Sequence, residues 1–151
     1  MVTRLRPEFV HIISHASGKK NLLQQLAELA SKQTGLNERK IFETLLEREK
    51  LGSTGVGRGV AIPHGKLSEA ENITMMFLKL NKPVEFESVD DAPVDLIFLL
   101  LAPIDAGTEH LKALALVSRL MRDRAFCDKL RGVFDRDSLY ALLSAPMEKA
   151  A

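Results

Sequence analysis

The chain has 151 residues, 46% of them hydrophobic and 27% charged, with a net charge of +1. That balance fits one soluble domain with a sizeable core, excludes a disordered chain and gives no bulk attraction to nucleic acid or anionic membrane. The single cysteine, Cys127, excludes an internal disulfide framework, and with no bilayer-length apolar run and no signal-peptide core in residues 1–8 a cytoplasmic protein is expected.

Residues 9–14, Phe-Val-His-Ile-Ile-Ser, read as a short first strand rich in β-branched residues. His11 and His15 stand four apart, yet the glutamate of a metalloprotease helix is absent and the segment is not helical, so no metal is expected there. Ser17 predicts an N-cap for a helix over 18–33, with Leu22, Leu23, Leu26, Leu29 and Ala30 on its core face and Gly35 at its end. Asn37 caps a second helix whose apolar face is Ile41, Phe42, Leu45 and Leu46. On the helical projection Glu49 falls in the middle of that stripe and Arg48 on its border. Charges placed there either form a solvated last turn with i, i+4 pairing or are aimed at a site.

Four glycines then fall between positions 52 and 59, followed by Val60-Ala61-Ile62, Pro63, His64 and Gly65. Glycine frees the backbone and proline fixes it, so the segment is built to place one imidazole beside a residue with no side chain. Histidine switches most easily between neutral nucleophile and cation near neutral pH, which points to covalent or acid-base chemistry at His64. Phosphate-loop alternatives fail: Arg58-Gly59 stands where a P-loop needs Lys-Ser/Thr, and a dinucleotide fingerprint lacks its last glycine.

Residues 73–80 and 94–102 are apolar runs of strand length, bounded by Asn81-Lys82-Pro83 and by Pro103. The second is apolar on both faces, as a covered central strand is. Residues 84–86 suggest a short edge strand before an acidic turn at Asp90-Asp91. Thr108 predicts the cap of the longest helix, reaching about Arg124, with Leu111, Leu114, Val117, Leu120 and Met121 buried. His110 lies in its first turn on the core side, where unpaired N–H groups and the helix dipole favour anions. Residues 135–144 read as a last amphipathic helix, and Cys127 as packed.

The string Gly57-Arg-Gly-Val-Ala-Ile-Pro-His64-Gly, preceded by Leu46-Glu-Arg-Glu-Lys and Gly52-Ser-Thr-Gly, resembles the fructose/mannitol class of IIA proteins of the bacterial phosphoenolpyruvate-dependent sugar phosphotransferase system. Within that class it is most similar to the nitrogen-regulatory IIA proteins, and the likeness spans residues 8–147 as one domain. No attached IIB or IIC domain appears, which suits the regulatory branch. The resemblance implies a mixed α/β sheet of about five strands with helices on both sides. It also implies phosphorylation of His64, support from Arg48 and His110 with Glu49 at the acidic position, and a phosphohistidine HPr-like protein as donor.

In chemical terms, neutral His64 would attack a phosphoryl group in line, and the product carries about two negative charges. An arginine within about 4 Å offsets about 4 kcal/mol per unit charge at an effective dielectric of about 20, before desolvation. Arg48 and the hydroxyls of Ser53 and Thr54 are the candidate donors, and Arg58 is expected to face the partner. No metal or cofactor is expected. The alternatives are a sugar-transport IIA that passes phosphate to a IIB domain, or a partner-binding module indifferent to phosphorylation.

Overall fold

A computed structural model of the protein describes residues 5–150. In chain order a 3₁₀ turn at Pro7–Phe9 leads into β1 (Val10–Ile13), α1 (Lys19–Thr34) and α2 (Glu38–Lys50). Three short strands follow, β2 (Gly55–Gly57), β3 (Val60–Ala61) and β4 (His64–Leu67). The longer strands β5 (Thr74–Val84) and β6 (Val94–Pro103) come next, then α3 (Thr108–Arg122), α4 (Arg124–Arg131) and α5 (Arg136–Ala150).

The sheet runs β1-β5-β6-β3-β2, with β4 also on β6. β1 is parallel to β5, β5 antiparallel to β6, and β2 antiparallel to β3. Both β3 and β4 run parallel to β6 in one register, Ala61 opposite Ile97 and His64 opposite Leu100. They are therefore two halves of one strand path, broken at Ile62-Pro63 because proline has no N–H to give the ladder. Six strand segments on five paths form the expected mixed sheet.

β6 is covered on both faces. Leu96, Phe98, Leu100 and Ala102 pack with Ala113, Val117 and Met121 of α3, Leu130 of α4 and Leu139 and Leu143 of α5. Ile97, Leu99 and Leu101 pack on the other side with Leu22, Leu23 and Leu26 of α1 and Ile41 and Leu45 of α2. Each fully buried Leu, Ile, Val or Phe among them contributes about 1.5–3 kcal/mol of transfer free energy. Cys127 is packed as expected, its thiol donating to the Met121 carbonyl and pushed to higher pKa by burial.

Several boundaries differ from the sequence expectation. Gly18, not Ser17, caps α1, and the Asn21 side chain reaches back to the Ser17 N–H at 3.1 Å. Asn37 does cap α2, accepting from the Lys40 N–H. Asn81-Lys82-Pro83 does not end a strand: β5 passes through this exposed triplet as an irregularity and pairs again at Val84 opposite Val94. A separate 84–86 edge strand therefore does not form, and Phe86 is buried outside the sheet. Gly107, with φ 60, caps α3 in place of Thr108. With that start the buried face is His110, Ala113, Val117 and Met121, and Leu111 is 62% exposed. α3 stops at Arg122 and is one residue shorter than α1; Asp123 ends it and caps α4 by accepting from the Phe126 N–H. α5 runs on beyond Ser144 to Ala150.

Candidate active site

The glycine-rich segment folds as a β2–β3 hairpin whose central residues Arg58 and Gly59 have φ 56 and 79. Both angles are positive, as a type I′ turn requires, and Gly59 meets that demand without a side chain. Arg58 is held there by its own backbone: its N–H donates to Asp90 at 2.9 Å, and its carbonyl accepts from Arg131 at 2.8 Å. Its side chain is exposed.

Beyond the hairpin, Pro63 delivers His64 to the first position of β4. The Nδ1 of His64 lies 2.8 Å from the Ile62 carbonyl, and its Nε2 lies 3.3 Å from Arg48 Nε. A carbonyl only accepts, and the guanidinium only donates. Nδ1 therefore carries the proton, and Nε2 presents its lone pair to Arg48. Arg48 is itself tethered from the last turn of α2 by its Nη1, which donates to the Gly52 carbonyl at 2.8 Å. Burial above all lowers the His64 pKa; the Ile62 carbonyl raises it, Arg48 lowers it and Glu49 raises it. At neutral pH the ring is thus neutral, half-buried and held in one tautomer.

His110 brings a second ring to the site, 6.1 Å from His64 between centroids. It is 7% exposed in the first turn of α3, and its Nδ1 is buried without a partner. Burial, then His64 and Lys66, lowers its pKa as well.

Glu49 is buried at the point where the apolar stripe of α2 ends. Its carboxylate accepts from the Thr54 N–H at 3.1 Å, from the Thr54 hydroxyl, and from Lys19 Nζ at 2.8 Å. Of the two sequence readings of Glu49, the solvated last turn is the one discarded. The hydroxyls of Ser53 and Thr54 differ from expectation: Ser53 donates to the Phe86 carbonyl at 3.3 Å, and Thr54 donates to Glu49. Neither is left to face His64, because the turn after α2 closes over the carboxylate instead. Lys19 and the Ile62 carbonyl escaped the sequence analysis, and nothing local marks either. His11 meets the Gln33 amide at 3.1 Å. A surface cavity lined by residues such as Arg6, Lys40, Glu69 and Tyr140 contains none of these groups.

Gly65 is required for space. A Cβ there would lie 2.5 Å from Thr44 Cγ2, so a larger residue would push β4 off α2 and carry His64 away from Arg48. Gly65→Ala is expected to destabilise the fold by about 1–3 kcal/mol, with most of the loss recovered in the Gly65→Ala/Thr44→Ser pair. Urea unfolding of the single and double variants reads this directly, and additive losses would contradict it.

The histidines also set a pH dependence. His11, His64 and His110 all have pKa values held below their ordinary 6.5, chiefly by burial. Between the lowered values and 6.5 the unfolded chain binds more protons than the folded one, so stability rises with pH across that window. It is fully present above 6.5 and is lost as pH falls through the folded values. Unfolding midpoints recorded from pH about 8 to about 5 should fall on the acid side, before most carboxylates titrate. A flat profile would contradict the burial of neutral rings.

Among the described residues no helix is long and apolar enough to cross a membrane. A family model described as phosphoenolpyruvate-dependent sugar phosphotransferase system, EIIA 2, matches residues 4–145. A nitrogen regulatory protein of Bradyrhizobium diazoefficiens is 52% identical over 145 residues, covering 96% of this chain and 95% of the relative. The crystal structure of nitrogen regulatory protein IIA-Ntr from Neisseria meningitidis superposes with a TM-score of 0.86 at 34% identity, covering 91% of this chain and 94% of that one. A fructose-specific EIIABC component of Bacillus subtilis is 31% identical over 127 residues, 83% of this chain but 20% of the relative.

Proposed function

Because this chain belongs to the phosphoenolpyruvate-dependent sugar phosphotransferase system EIIA 2 family, we propose that it is a regulatory phosphoryl carrier that accepts phosphate on His64. The observation that carries the site assignment is the His64 tautomer: Nδ1 bound to the Ile62 carbonyl, Nε2 unprotonated with its lone pair toward Arg48. The carrier domain is taken as residues 8–147, working in the cytoplasm.

The Nε2 lone pair attacks the phosphorus of a phosphohistidine on a small HPr-like donor. A new N–P bond forms as the donor's N–P bond breaks, and the leaving electron pair returns to the donor imidazole. No proton has to move, since His64 keeps its Nδ1 hydrogen throughout. The Ile62 carbonyl stabilises the positive character the ring gains, while Arg48 turns its donors from Nε2 to the phosphoryl oxygens. His110, packed beside the ring, offers its outward nitrogen as a further donor. Glu49, Ser53 and Thr54 hold the turn that tethers Arg48, and Arg58 meets the donor.

The identity to nitrogen regulatory proteins favours output through partners selected by the phosphorylation state. The fructose-specific relative supports a second reading, transfer onward to a sugar-specific IIB domain. Incubation with phosphoenolpyruvate, enzyme I and an HPr-type donor should give an acid-labile, base-stable phosphate on the chain. No label would refute the carrier, and rapid discharge to a fructose IIB domain would favour the transport reading.

A further inference from the structure

Lys19 opens α1, far from His64 in the chain, yet its ammonium is 2.8 Å from the buried Glu49 carboxylate and its own side chain is only 18% exposed. Its Nζ also sits 4.9 Å from the centre of the Phe86 ring and 3.9 Å from the exposed Glu87 carboxylate. Glu49 lies in the last turn of α2, where the helix dipole disfavours an anion and burial adds a desolvation cost. Besides Lys19, its described partners are the N–H and hydroxyl of Thr54. The Thr54 carbonyl in turn accepts from the Ile62 N–H at 2.9 Å, and Ile62 supplies the carbonyl that orients His64. A path of ionic and hydrogen bonds therefore runs from Lys19 through Glu49 and Thr54 to the reactive ring.

We propose that Lys19 is a positioning residue of the acceptor site: its ammonium neutralises and fixes the Glu49 carboxylate, so that Thr54 holds Ile62, and through it His64, in register with Arg48. This rests on the reading of His64 as the acceptor. The same ion pair has an electrostatic consequence, since a carboxylate without its counter-ion would repel a phosphoryl dianion forming close by. The charged and titratable groups about His64 are Arg48 and Glu49 from α2, His110 from α3 and Lys66 from β4 itself. Of these, Glu49 raises the affinity of the ring for a proton, and Lys19 is the cation paired with that carboxylate.

The test uses Lys19→Met, which keeps a stem of similar length against Phe86, and Lys19→Arg, which keeps the charge. Phosphate acceptance from a phosphorylated HPr-type donor should slow by up to about a hundredfold in Lys19→Met and largely recover in Lys19→Arg. The His64 ring, followed by nitrogen-15 spectra against pH, should titrate higher in Lys19→Met than in wild type. It should return toward the wild-type value in Lys19→Met/Glu49→Gln. Wild-type acceptance and an unmoved titration in Lys19→Met would overturn the proposal, as would equal losses in the Met and Arg variants. If Lys19→Met does not fold, Lys19→Gln, which keeps a neutral donor to Glu49, is read by the same criteria. Failure of the wild type to accept phosphate sinks the carrier reading instead, and the titrations then decide the role of Lys19 alone.

Discussion

His64→Ala is expected to abolish phosphate acceptance, by at least about 10⁴-fold, as removal of a nucleophile does. The other histidines do not replace it. His110 is the nearest, but its ring is tilted 43° to that of His64 and its Nδ1 has no carbonyl to fix the tautomer. His11 is engaged with Gln33 on β1. Among the described residues only His64 combines a carbonyl at Nδ1 with a guanidinium at Nε2. The substitution removes a half-buried ring at the start of a strand, so the fold should survive with a modest change in unfolding midpoint. Mass spectrometry under acid-free conditions measures the outcome; a phosphorylated His64→Ala protein would contradict the site assignment.

Arg48→Ala should lower the rate of acceptance by about 10²–10³-fold, the loss found on removing one fixed donor from a transition state, or about 2.7–4 kcal/mol. Two features make the effect local. Arg48 is half-buried at the end of α2, and its second bond, to the Gly52 carbonyl, is exposed to solvent. Without it the His64 pKa should rise, because the Arg48 charge is among the groups that lower it. Arg48→Lys should recover only part of the rate, since an ammonium cannot hold Gly52 and the phosphoryl oxygens with one planar fork. Rapid-quench kinetics with a phosphorylated donor would measure both variants. Acceptance by Arg48→Ala at the wild-type rate would remove the guanidinium from the mechanism.

The core of the fold was legible because β6 is apolar on both faces and α1 and α2 carry helical stripes. Asn37 and Gly35 punctuate those helices as their chemistry predicts. Glu49 was legible as an anomaly, a carboxylate in the middle of an apolar stripe, although its partners were not. Lys19 reaches it from another helix, and no local pattern predicts a pair between distant segments. Ser53 and Thr54 were misread because a hydroxyl's direction depends on how the loop closes, and this loop closes over Glu49 and Phe86. On α3 the expected core side holds at His110, Val117 and Met121, but Leu111 is exposed and Ala113 takes a place in the interior, because the apolar stripe of this helix is wider than the face it buries. The Ile62 carbonyl belongs to the backbone, where side-chain patterns carry no information. The Pro63 break that frees it beside His64 was visible only as a rigid residue.

The tautomer of His64 is the centre of this account, and nitrogen-15 and phosphorus-31 spectra of the phosphorylated protein examine it without a kinetic assumption. A phosphoryl group on Nε2 of His64, with Nδ1 still protonated against Ile62, is the predicted state. A phosphoryl group on Nδ1, or on His11, His15 or His110, would contradict it.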